Sequence, residues 1–171
     1  MSPGPRRLVV MRHATAEAVA ASDVERPLTD RGRADAEAAG AWLHQHGVVP
    51  DHAIVSPAVR TRETWAAMVR ATGWTAPPDL EPALVHAGVE AALDLLRLVP
   101  DDARVVVLVG HNPTVSQVAN LLQDGAGKRE AALSMARGHP PAAFALFDVT
   151  VEWSRLSWGD GRLAAFRVPD D

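Results

Sequence analysis

The chain contains no cysteine, which excludes disulfides, thiolate nucleophiles and cysteine-ligated zinc. It also lacks any apolar run near the roughly 20 residues that a membrane helix needs. Met1 to Arg7 is polar and proline-rich, and the apolar run after it, Leu8 to Met11, is too short for a signal-peptide core. Charge of one sign is not concentrated either. The 17 Lys+Arg and 21 Asp+Glu give a formal net charge of −4, with the basic residues scattered, so no electrostatic footprint for nucleic acid exists. These absences lead us to expect a cytoplasmic protein with neither a nucleic-acid nor a membrane partner. No internal repeat, low-complexity tract or linker divides the sequence, and its 171 residues suit one domain, residues 1–171, with a substantial core.

What is present is an alternation of short β-branched runs with longer helical stretches, which argues for an α/β layer fold. Leu8–Met11 is a continuous apolar run, as in a strand buried on both faces. After a loop with Arg26-Pro27, Thr29 can cap a helix running to about His46, with Gly47 ending it and Ala34, Ala38, Ala41 and Trp42 as its apolar stripe. Ala53-Ile54-Val55 reads as a second buried strand. Ser56-Pro57 then places a cap before a first-turn proline, predicting a helix to Ala71 with Trp65, Met68 and Val69 inward and Gly73 as its stop. Trp74–Gly88 reads as a proline-rich loop and Val89–Leu98 as a short helix.

Arg104–Gly110 is the clearest central strand, and His111-Asn112-Pro113 repeats the cap-then-proline start of a helix to about Gln123. Asp124–Pro141 reads as a mobile loop. Ala142–Val149 and Leu163–Val168 read as closing strands, with Val151–Trp158 a hairpin arm between them. The five tryptophans are taken as packing residues, and His44, His46 and His52 as solvated rather than metal-binding.

Ligands of open α/β sheets sit where strands hand over to helices. Three handovers here carry cationic or titratable groups: Arg12-His13 after the first strand, Arg60 one turn into the second helix, and His111 after the central strand. Any one of these is commonplace. Their coincidence at one sheet edge, beside helix N-termini that favour anions, points to a phosphate. Arginine forks grip phosphate oxygens and stay charged. Histidine can serve as nucleophile, acid or base near neutrality, and neighbouring cations keep an imidazole unprotonated. No carboxylate cluster accompanies these residues, so magnesium chemistry is not expected, nor any other metal or cofactor.

The same residues resemble the histidine phosphatase superfamily, and within it the SixA-like phosphohistidine phosphatases. The matching pieces are Val10-Met11-Arg12-His13-Ala14, Arg26-Pro27-Leu28-Thr29 with Gly32, Ser56-Pro57-Ala58-Val59-Arg60-Thr61-Arg62-Glu63-Thr64, and Val109-Gly110-His111-Asn112-Pro113, in family order over about two thirds of the chain. The resemblance implies a phosphoglycerate mutase-like, three-layer α/β/α sandwich with a mostly parallel sheet. It implies His13 as the nucleophile that becomes phosphorylated, with Arg12, Arg60 and His111 completing the phosphate pocket, Arg26 a further arginine beside it, and water releasing phosphate. Two departures stand out. Alanine follows the Arg-His pair where the family has glycine, which is tolerable at negative φ. His139-Pro140-Pro141 stands where many relatives carry Thr or Ser, so that a pocket hydroxyl is missing or replaced by His139.

Relatives that cleave phosphate esters carry a carboxylic acid between the second helix and the central strand. Here Glu81 and Glu90 are the nearby glutamates and neither stands at that position; His86 is a weaker alternative acid. An alkoxide leaving group needs a proton, whereas the imidazole of phosphohistidine, with a pKa of roughly 6.5, needs little help. Protein phosphohistidine, such as that on a phosphorelay histidine domain, is therefore the expected substrate. A small-molecule phosphate monoester is the alternative, and a non-catalytic phosphoprotein-binding module a third reading that the intact catalytic set disfavours.

Overall fold

The apolar runs of the sequence form the middle of one sheet in the computed structural model, which describes residues 4–86 and 88–170. Met1 to Pro3, part of the polar N-terminal segment, lie outside the described residues, as do Ala87 and Asp171. Strand β1 (Arg6–Arg12) pairs in parallel with β4 (Val105–Gly110). Next to β4 runs β2 (His52–Val55), and beside that the short β3 (Pro78–Leu80), both parallel. On its other side β1 meets β5 (Phe144–Val149) antiparallel, and β5 meets β6 (Gly161–Arg167) likewise. The order is β3-β2-β4-β1-β5-β6.

Alternation along the central strands sorts two cores. Val9, Met11, Val107 and Val109 pack toward α1 (Asp30–Gln45) and α2 (Val59–Thr72). Leu8, Val10, Val106 and Leu108 pack toward α3 (Val89–Arg97), α4 (Thr114–Leu122) and α5 (Arg129–Ala136). Both faces are covered, which is why these strands are unbroken apolar runs. The fold is the expected three-layer α/β/α sandwich.

Several local expectations are corrected. The stripe of α1 is only in part the expected one: Trp42 packs half-buried against the core, but Ala34 and Ala38 are exposed, and Gly32, Ala36, Ala39, Gly40 and Leu43 are the buried positions. In so alanine-rich a helix the phase is set by close approach rather than by side-chain size. A Cβ on Gly32 would stand 2.1 Å from the Thr15 carbonyl oxygen, and one on Gly40 2.9 Å from Met68 Cα. The glycine edge therefore faces the loop after β1 and the backbone of α2.

Ser56 does not cap α2, which begins after Ala58 without a side-chain cap. Arg60 is accordingly its second residue rather than a turn in. Pro113 likewise precedes α4, and Asn112 Oδ1 accepts from the Ser116 N–H at 3.3 Å. The segment Asp124–Pro141, expected to be a mobile loop, contains α5, which buries only Ala131 and Met135. The expected hairpin arm is a 3-10 turn at Trp153–Arg155, with Trp153 buried and its indole N–H donating to the Ala103 carbonyl at 2.8 Å. His52 is not simply solvated but pairs with Asp79 at 3.0 Å. Among the described residues no helix is long and apolar enough to cross a membrane.

Candidate active site

Parallel strands in register deliver their next residues to the same level. Arg12 pairs with Gly110 and Val55 with Val109. The ladder then continues one step, with His13 N–H donating to the Gly110 carbonyl (3.0 Å) and Ser56 N–H to the Val109 carbonyl (3.1 Å). His13, Ser56 and His111 thus leave three adjacent strands side by side. The rings of His13 and His111 lie 5.4 Å apart at 56°. Arg60, 6% exposed, arrives from the first turn of α2. The three handovers do converge.

The loop after His13 is tied down by residues that the sequence reading gave no role. Ala14 N–H donates to Thr64 Oγ1 (3.0 Å), which itself donates to the Arg60 carbonyl (2.7 Å). Leu28 N–H donates to Glu63 Oε1 at 2.8 Å. Between these anchors the loop carries Asp23 over the site. Arg60 donates to the Asp23 carbonyl at 2.8 Å and to its carboxylate at 3.2 Å. Arg26 donates to the other carboxylate oxygen at 3.0 Å and to the Glu17 carbonyl at 2.9 Å. Arg12 and Asn112 both donate to the His139 carbonyl, at 3.3 and 2.9 Å.

His13 Nδ1 lies 2.7 Å from the Ala14 carbonyl oxygen. A carbonyl can only accept, so in the neutral ring Nδ1 holds the proton and Nε2 is the free base. Burial is the main force pushing the His13 pKa down to about 4, with Arg60, Arg12 and Arg26 acting the same way and the Ala14 carbonyl opposing them. His111 is also lowered to about 4, by burial first and then by Arg60 and His13, against Asp23. Both rings are neutral at pH 7. Arg12 Nε, Arg60 Nε and His111 Nδ1 are buried without a protein hydrogen-bond partner, and such groups are costly unless a ligand answers them. Arranged this way, the site offers donors to an anion and one unprotonated nitrogen to its central atom.

Comparison with known proteins gives this arrangement a lineage. Residues 8–90 match the model of the histidine phosphatase superfamily (branch 1). The structure of a candidate phosphohistidine phosphatase SixA from Nakamurella multipartitia is 34% identical, with a TM-score of 0.86 over 98% of each chain. The chain belongs to the histidine phosphatase superfamily. An uncharacterised protein of Mycobacterium tuberculosis is 32% identical over 93% of this chain and 99% of its own. A phosphohistidine phosphatase SixA homolog of Haemophilus influenzae is 30% identical over 65% of this chain and 73% of its own. The protein is a SixA-like phosphatase enzyme.

The departures from the superfamily pattern now have physical answers. Ala142 is the one described non-glycine residue at positive φ, so Ala14 needs none of glycine's freedom. His139 does not replace the missing hydroxyl. Its ring is buried, bonded through Nε2 to the Ala143 carbonyl at 2.9 Å and set edge-on to Phe166, and it serves the site only through its carbonyl. The weaker acid candidates are not brought in. Glu81 lines a separate cavity with His52, Asp79 and Leu95, and Glu90 accepts from the Trp158 indole at 3.3 Å. His86 is exposed. Among the described residues no group of His, Asp or Glu is arranged to hold a metal.

Proposed function

We propose that this phosphatase, read as one domain over residues 1–171 and acting in the cytoplasm, removes phosphoryl groups from protein phosphohistidine. His13 is the nucleophile. Arg12, Arg60 and His111 bind the phosphoryl oxygens, and Arg26 adds positive charge beside them. In the first step His13 Nε2 bonds to phosphorus while the N–P bond of the substrate breaks, and the departing imidazole takes its proton from solvent. In the second, water attacks phospho-His13, the new N–P bond breaks, and inorganic phosphate leaves with His13 restored. The buried cations meet the charge that develops on the transferring group, in a site where little solvent competes.

The observation that carries the substrate class is the state of Asp23. This carboxylate, beside the site, spends one oxygen on Arg60 at 3.2 Å and the other on Arg26 at 3.0 Å, ion pairs that favour its charged form. An ionised carboxylate cannot hand a proton to an alkoxide. Imidazole does not need one. Turnover compared side by side on a phosphohistidine protein and an alkyl phosphate monoester tests this reading: kcat/KM favours the phosphohistidine protein, and a preference for the alkyl ester would overturn it.

A further inference from the structure

We infer that Ser56 is a positioning residue whose hydroxyl fixes the tautomer of His111, so that the ring presents Nδ1–H to the phosphoryl group. Ser56 is wholly buried, and its backbone is held on both sides. Its N–H donates to the Val109 carbonyl at 3.1 Å, and its carbonyl accepts from Thr61 Oγ1 at 2.7 Å. The hydroxyl therefore has a fixed origin. Oγ lies 2.7 Å from His111 Nε2 and receives the Ala58 N–H at 3.4 Å.

Two proton arrangements are conceivable across the short contact. If Nε2–H donated to Oγ, the hydroxyl would accept twice, and its own proton would have no acceptor among the described residues. A buried donor left without an acceptor is destabilising. The ring would then also aim the lone pair of Nδ1 at an anion. If instead the hydroxyl donates to Nε2, every group of Ser56 is satisfied and the ring proton sits on Nδ1. That nitrogen is buried without a protein partner, which is where a phosphoryl oxygen would accept. Burial and Arg60 keep the ring neutral at working pH, so the choice of tautomer decides whether His111 attracts or repels the ligand.

This inference rests on reading His111 as a phosphate-pocket residue, yet its first measurement needs no substrate. Nitrogen-15 NMR of the histidine side chains at pH 7, with and without orthovanadate, reports which His111 nitrogen is protonated. The wild-type protein shows Nδ1–H in both states, and the Nδ1 resonance moves when vanadate binds. In Ser56→Ala the tautomers mix, and kcat falls about 10- to 100-fold, somewhat less than the loss on deleting an oxyanion donor outright; KM changes less than kcat. Ser56→Thr, which keeps the hydroxyl, retains the Nδ1–H signature. A wild-type His111 protonated at Nε2, or a Ser56→Ala protein with unchanged tautomer and turnover, would overturn the inference. A protein with the predicted tautomer but no turnover of phosphohistidine would instead count against the functional reading.

Discussion

Two concave regions at opposite edges of the sheet both carry arginines, and only one has the chemistry of an anion site. At the amino ends of β1 and β4 a cavity of about 680 Å³ is lined by Arg6, Arg104 and Arg162, but also by Asp124, Asp148, Glu152 and Asp160. Its arginines are largely spoken for: Arg6 donates to the Val151 and Asp101 carbonyls at 3.3 Å each, and Arg162 lies 3.6 Å from Asp124. At the carboxyl ends, a groove of about 500 Å³ runs past Arg12, Asn112, Ser134 and Arg137 with no carboxylate in its lining. At the same strand ends Arg60 and His13 are buried and His111 is half-buried. Cavity size favours the wrong edge. Burial and an excess of cation mark the right one.

The contrast is sharpest at single arginines. Arg60→Ala removes a buried guanidinium whose fork holds Asp23 and whose Nε has no protein partner; on the proposed function kcat/KM should fall by roughly 10²–10³, as when one oxyanion donor is deleted, and steady-state kinetics on a phosphohistidine protein checks it. A smaller effect is expected on stability from Gly32→Ala, because the new Cβ meets backbone 2.1 Å away. The strain should cost about 1–3 kcal/mol, read as a lower urea midpoint with unchanged slope. Arg162→Ala at the opposite edge should change kcat/KM by less than about threefold, since an exposed ion pair is worth little.

Acid titration separates the two edges in another way. With His13 at about pKa 4, kcat/KM of the free enzyme should hold from pH 7 to pH 5 and decline only near 4. A histidine at the ordinary value of about 6.5 would already have lost roughly 30-fold at pH 5. The same burial works against stability. His13, His111 and His139 are each lowered to about 4, so the unfolded chain binds more protons between about 6.5 and 4. Stability is therefore complete above about pH 6.5 and declines as the pH falls toward 4, by up to about 1.4 kcal/mol per unit for each fully titrating histidine. Denaturation monitored across that range checks the sign.

Much of the site was legible because strand handovers are local: the apolar runs ending in Arg12-His13 and Gly110-His111 name both the strands and the residues they deliver. Asp23 was not legible, since its partner Arg60 is 37 positions away and only loop closure brings them together. Ser56 carried a local signal, a serine before a proline, that pointed to a cap; its actual partner is 55 positions away. Helix α5 escaped notice because two buried residues cannot write a period. The alanine-rich α1 revealed its existence but not its phase, which the close approaches at Gly32 and Gly40 decide.

The central claim is that His13 Nε2 takes up the phosphoryl group. Brief reaction with a radiolabelled phosphohistidine protein, quenching in alkali and mapping of the label tests it most directly. The account predicts an alkali-stable, acid-labile phosphoryl group on His13, with no label on His13→Ala and turnover lost in that variant. Label on another residue, or a His13→Ala protein with full turnover, would contradict it.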